Sequence, residues 1–550
     1  MGIKKYIANK DNTITNAYKS NLITRGTGSN MGAADVLETF SIYGQNFTSS
    51  SSGISRSQEL SRILVHFPTS EIAADRTAGD IPASGNVQFC LRLFNAKHAS
   101  TVPKNLTLTV VPVSSSWEEG FGLDMESYLD ITKDYEGSNW IMRTGSTAWT
   151  TVGGTYLTAS AGNDHGNRVQ TVAFENGTEN LKLDITDTVE RWLKGFDNHG
   201  TGFENYGLGI HVTGTQEAYY SSSAGGFAND NIIQNVSGAE RSYYTKKFFS
   251  RTSEFFFKRP CIEARWDSTI KDDRAKVQYS SSLLSAEDNL NTLYLYNYVN
   301  GRLKNIPGIT DPSTNIYLQI FSGSENNTVP SASALNLVTT TDYVATAVPT
   351  VVTGGWVSTG IYSASFALTA AATPVTTLYD VWSLDGTDKL GVQVSTGSFE
   401  PKVFAASRQN AGTQHVVNIS NLKPSYTTSE EARLRVTTRL KDWNPTIYSK
   451  AVAKVENTIL DNMYFRVVRT FDDYEVISYG TGSSTAPLEV GNTGSYTRLS
   501  SDVSGSYFDL DMSMLEGGYM YGIVLAAYQE PGYKEFNRTF KFRVEDTEDS

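Results

Sequence analysis

The feature that most constrains this chain is alternation. Between positions 539 and 545, Phe540, Phe542 and Val544 take every second place, with Lys541 and Arg543 between them. A period of two puts alternate side chains on opposite faces of an extended backbone, so one face becomes core and the other meets solvent. The pattern recurs at Val87, Phe89, Leu91 and Leu93, at Leu106, Leu108 and Val110, and at Tyr519, Tyr521, Ile523 and Leu525. Leucines alternate with tyrosines over 293–298, and apolar residues fill every second position of 316–320. Turn-rich segments such as 24–32 and 48–53 punctuate these runs. Short alternating strands between turns predict an all-β protein. The 45 Gly, 30 Tyr and 25 Phe, against 8 Met, agree with that class.

One stretch, 181–212, interrupts the alternation. Leu181 and Leu183 start as a strand, and then Ile185, Val189, Trp192 and Leu193 recur at helical spacing. Thr186 and Asp187 offer capping oxygens, and Glu190 stands three residues after Asp187, as in a capping box. Gly195 and Gly200 end the helix, and Tyr206, Leu208, Ile210 and Val212 resume the strand pattern. The expectation is one short helix with Trp192 facing inward, closing the end of a β-sandwich.

At 550 residues the chain exceeds one core, and about 100–200 residues per domain suggests three. Residues 1–267 read as a jelly-roll sandwich holding the single helix, and 268–287, polar and charged, as a linker. Residues 288–426 read as a smaller, immunoglobulin-like sandwich closed by Val416, Ile419, Leu422 and Tyr426. Residues 427–550 read as a second such sandwich.

A formal charge of −12 and a pI near 5.2 argue against a nucleic-acid partner, whose phosphates call for a basic footprint. No run approaches the roughly 18 apolar residues of a membrane helix. The opening MGIKKYIANKDN has no apolar signal region, so the chain is expected to be made and folded in a cytoplasm. Cys90 and Cys261 read as two free thiols, with a bridge as the alternative. Cys90 falls on the more polar face of its strand.

The six histidines show no i, i+3 or i, i+4 pairing, and no nucleophile elbow or phosphate loop occurs. Carboxylate pairs such as Glu118-Glu119, Asp472-Asp473 and Asp509/Asp511 read as surface charge in an acidic chain rather than as an acid and base pair. No cofactor is expected. Asp197, Asn198 and Glu204 could supply hard oxygens to a structural calcium, with a solvated turn as the plain alternative. Tyr219, Tyr220, Tyr243 and Tyr244, beside loops rich in Ser, Gly and Asn, are candidates for contact with a glycan or a partner. Over 241–265, basic and aromatic residues interleave. The phenylalanines suit core positions, and Lys246, Lys247, Arg251, Lys258 and Arg259 would form a basic face able to dock an acidic neighbour.

Two resemblances refine these expectations. The order RILVHFP, VQFCLRLF, LTLTVVPVSSSWEE, LDITDTVERWLKG, NYGLGIHV and FFSRTSEFFFKRPCIEARW is similar to the DNRLRE-type domain, a jelly-roll module related to carbohydrate-binding modules. Trp117-Glu118, Val189, Trp192, Tyr206-Gly207-Leu208, Arg259-Pro260 and Ile262 match its pattern, although the namesake motif is absent. Residues 433–545, with RLRVTTRLKDWNPTIYSKA, NTILDNMYFRVVRTFDDYEVISYGTGS and TFKFRVE, resemble the C-terminal part of virion structural proteins of contractile-tailed marine bacteriophages. That resemblance implies a non-enzymatic component of a tail, baseplate or neck. The chain would be present in several copies, contact other virion proteins and be open to host-glycan binding. A secreted bacterial polysaccharide-binding protein is the alternative.

Overall fold

The computed structural model describes residues 2–19, 24–44, 57–98, 102–123, 137–158, 168–195, 202–220, 232–323, 332–338, 350–369, 375–386, 393–404, 414–443, 457–480, 495–529 and 532–546. Strands dominate these residues, and two α-helices accompany them, so the chain is all-β. It divides into two compact units, 2–267 with 514–516, and 268–513 with 517–550.

The first unit is built from two antiparallel sheets. One has the order Ile3–Ile7, Cys261–Arg265, Gln88–Leu93, Leu181–Asp184. The other runs Tyr243–Phe249, Val36–Gly44, Ser57–His66, Leu208–Val212, Leu106–Pro112, Gln170–Phe174, with Lys10–Thr15 also paired to Ser57–His66. The alternating residues face one core: Phe89, Leu91, Leu93, Leu106, Leu108, Val110, Leu208 and Ile210 are all buried in it. The expected helix is Thr186–Lys194, and Trp192 is buried at 4% exposure.

Its cap differs from the expected box. The Asp184 carboxylate, two residues before Thr186, accepts from the Thr186 amide and hydroxyl. Glu190 turns away to receive both Arg76 nitrogens at 2.9 and 2.6 Å. Arg76 belongs to a second helix, Thr69–Ala78, so the expectation of one helix is corrected to two. This helix buries only Ile72, which leaves almost no apolar periodicity to read.

Both cysteines are buried free thiols. Cys90, on the strand face read as polar, is 2% exposed. Burial pushes the Cys261 thiol up to about 12, far from a reactive thiolate. That polar face is closed by charge: Glu263 lies between Arg92, at 3.4 Å, and Arg265, whose Nε donates at 3.1 Å, and all three are buried.

In the second unit, the strands Asn291–Tyr296, Ile361–Leu368, Val352–Ser358, Asn315–Phe321, Leu378–Ser383 and Gln393–Phe399 join in one continuous sheet, with Leu337–Val338 added to Ile361–Leu368. Two further sheets follow. One orders His415–Ile419, Glu431–Leu440, Gly505–Asp511 and Ser500–Asp502; the other orders Ser425–Thr427, Gly532–Glu545, Met520–Gln529, Met463–Arg469 and Tyr474–Ile477.

Two boundary expectations change. Residues 268–287 are not a bare linker: Val277 and Tyr279 enter the core of the seven-stranded sheet, and Asp272 is 3% exposed. The segment expected to close the middle domain pairs instead with the last one. His415–Ile419 lies antiparallel to Glu431–Leu440, and Ser425–Thr427 runs parallel to Gly532–Glu545. Alternation reports which face of a strand is apolar but not which sheet receives it, so pairing this far along the chain was beyond its reach.

Candidate functional site

The candidate tyrosines of the first unit gather near Ser41. The Ala218 amide donates to Ser41 Oγ, and the Ser242 hydroxyl donates to Ser41 O. Tyr219 and Tyr220 are half-buried, their amides tied to Ala239 O and Asn235 O. Tyr243 is 62% exposed and stacks on Tyr244 with ring centroids 5.0 Å apart. Tyr244 packs in turn against the core. The tyrosine group is therefore a surface feature with one ring standing well out.

The expected basic face lacks Lys246. Lys246 is fully buried, its ammonium donating to Asn95 Oδ1, Gly177 O and Glu179 O at 2.7–2.8 Å and lying over the Phe174 ring. Lys246 and Phe248 are two apart on one strand and so share the core face, and the lysine is held there by three acceptors. Arg251 is engaged by Glu119 through two bonds of 2.7 Å, and Lys247 lies 3.5 Å from Glu38. Lys258 sits over the Phe249 and Phe255 rings, and Arg259 donates to Ser253 O. Four of these five charges lie against partners in their own chain at the surface, and the fifth is inside.

Asp197 and Asn198, proposed as calcium ligands, lie outside the described residues, and Glu204 is exposed. Among the described residues no group of three or more His, Cys, Asp or Glu is arranged to hold a metal. The carboxylate pairs resolve into ion pairs: Asp509 with Arg433, Asp472 with Arg469 and Glu119 with Arg251. His66 bridges Asn9 Oδ1 and Asn205 O, and burial lowers its pKa. His211 stands 3.6 Å from Glu217, which also faces the buried Arg62.

Sequence reasoning missed an open groove of about 350 Å3 in the second unit. Its floor is an ion pair. The Arg274 nitrogens donate to both oxygens of Asp380 at 2.6 and 2.7 Å, and the Trp382 indole donates to the same carboxylate. Gly397 makes room for this pair, because a Cβ there would stand 2.7 Å from both Arg274 Nη1 and Asp380 Oδ1. On one wall, Tyr294 and Tyr296 project from the same face of Asn291–Tyr296, rings 6.4 Å apart and inclined by 28°, while Leu293 and Leu295 point into the core.

Asp272 and Asp502 complete the lining. Asp272 accepts from the Arg274 amide, and burial pushes its carboxyl up to about 6. Asp502 accepts from Arg435 at 2.6 Å and from the Ser504 amide at 2.8 Å. The two come together because the Asp272 amide donates to Ser501 O and the Ser501 amide to Ile270 O. The Tyr296 hydroxyl is shut from solvent and has no hydrogen-bond partner among the described residues.

No protein-family model and no curated protein matches the chain. Solved structures give distant similarities. The N-terminal Ig1-2 module of the Drosophila receptor protein tyrosine phosphatase DLAR aligns at 8% identity over 51% of this chain and 96% of that one, with a TM-score of 0.14. The glycoside hydrolase domain of Endo-D from Streptococcus pneumoniae aligns at 9% identity over 71% of this chain and 43% of that one, with a TM-score of 0.11. No helix among the described residues is long and apolar enough to cross a membrane.

Proposed function

We propose that the chain is a non-enzymatic structural component of a tailed-phage virion, placed in the tail, baseplate or neck. It works through its sheet surfaces against other virion proteins and further copies of itself, with a host glycan as an additional partner. The surface of the first unit carries this reading: Phe121, Tyr243, Phe255 and Phe256 stand 72, 62, 40 and 48% exposed while the neighbouring basic groups are engaged internally. Large aromatic side chains left in water are characteristic of protein contact surfaces. The resemblance of residues 433–545 to phage virion proteins supplies the particle.

Mass spectrometry of phage particles purified from the source culture tests the proposal, and the chain is expected in them at several copies per particle. Recovery from the medium without particles would favour the secreted polysaccharide-binding alternative. Incubation with host capsule is expected to release no new reducing ends, and clear turnover would refute the non-enzymatic part.

A further inference from the structure

We infer that the groove between Tyr294, Tyr296, Asp272, Asp502 and the Arg274–Asp380 pair is a binding site for a neutral saccharide. It is separate from the tyrosines of the first unit and independent of the particle in which the chain works. Its volume of about 350 Å3 lies at the small end of the roughly 300–1,000 Å3 range of ligand pockets, which suits one or two sugar rings.

Two observations converge on this ligand. Two tyrosine rings side by side on one strand face offer an apolar platform with polar edges, the surface that the C–H face of a sugar ring covers. A carboxylate whose geometry is already fixed by protein donors accepts sugar hydroxyls with little ordering cost, and Asp502, which is partly exposed, is held in that way.

Charge narrows the class. Asp380 and Asp502 are each already paired with a guanidinium, Arg274 and Arg435, and Asp272 adds a third carboxyl, so among the described residues the lining leaves no cation free for a sialylated, sulfated or phosphorylated sugar.

The test is saturation-transfer NMR on the full chain with millimolar maltotriose, cellotriose and sialyllactose, followed by titration with the stronger neutral sugar. Signal from a neutral trisaccharide and none from the sialic acid ring is expected. Tyr294→Ala should weaken binding at least tenfold. Tyr296→Ala removes the second ring of the platform and should also weaken binding severalfold, whereas Tyr296→Phe keeps the ring and is expected to leave binding unchanged. Tyr219→Ala should have no effect. Absence of transfer from both neutral sugars would overturn the inference, as would affinity untouched by Tyr294→Ala and Tyr296→Ala, or binding of a lysine-rich peptide in preference to the sugars.

Discussion

Asp11 gives the sharpest test of the electrostatics in the first unit. It lies on Lys10–Thr15 at 1% exposure, with Oδ2 accepting from the Arg251 amide at 2.6 Å. Burial pushes its carboxyl up from 3.8 to about 7; the Arg251 amide pulls it back, and the neighbouring Glu119 charge adds to the rise. A carboxyl whose folded value exceeds its unfolded one keeps its proton in the folded chain after the unfolded chain has lost it. The resulting penalty is absent below pH 3.8, grows as pH rises, and is complete above about 7. At about 1.36 kcal/mol per pH unit, the interval amounts to about 4 kcal/mol.

Asp11→Asn keeps an acceptor for the Arg251 amide and removes the titration. The stability of the variant relative to the wild type should therefore improve by roughly 2–4 kcal/mol between pH 4 and pH 8. Any fixed gain or loss from fitting the amide drops out of that difference. Urea unfolding at the two pH values, followed in the transition of residues 2–267, measures it. A difference equal at both pH values to within about 0.5 kcal/mol would show that Asp11 ionises in the folded state at little cost, and would refute the reasoning.

Other changes have defined outcomes. Glu263→Ala strands the buried guanidiniums of Arg92 and Arg265 and should cost about 3–5 kcal/mol at pH 7 in urea unfolding. Because those arginines hold the Glu263 carboxyl below its ordinary 4.5, its contribution is present above that pH and is lost as pH falls further, so the gap between variant and wild type should narrow in acid. Lys246→Ala leaves three acceptors unsatisfied and a cavity beside Phe174 and Phe248, and should lower the melting temperature of the first unit by several degrees, for a loss of about 3 kcal/mol or more. Gly397→Ala forces the Arg274–Asp380 pair apart and should cost about 1–3 kcal/mol in thermal unfolding of the second unit.

The elements that were legible in the sequence are those in which one local rule decides. Phe540, Phe542 and Val544 are buried as alternation requires, and Trp192 faces inward as helical spacing requires. Lys246 shows where residue type misleads: counting by twos from Phe248 places it on the core face, whatever its charge. Helix Thr69–Ala78 and the 268–287 segment were opaque because each buries few apolar side chains within a polar run. The groove was opaque for another reason. Asp272, Tyr294, Asp380 and Asp502 lie on separate elements, and only long-range pairing, such as that of Lys271 with Ser501, brings them together.

Among the described residues, the strand partner of Ile3–Ile7 is Cys261–Arg265, on the far side of the whole first unit in sequence. During synthesis it therefore has to wait, unpaired, until about 260 further residues have left the ribosome. Loop closure over such a span is slow, so the nascent chain carries an open β-edge for many seconds. That delay makes newly made chains prone to joining one another before each has closed on itself.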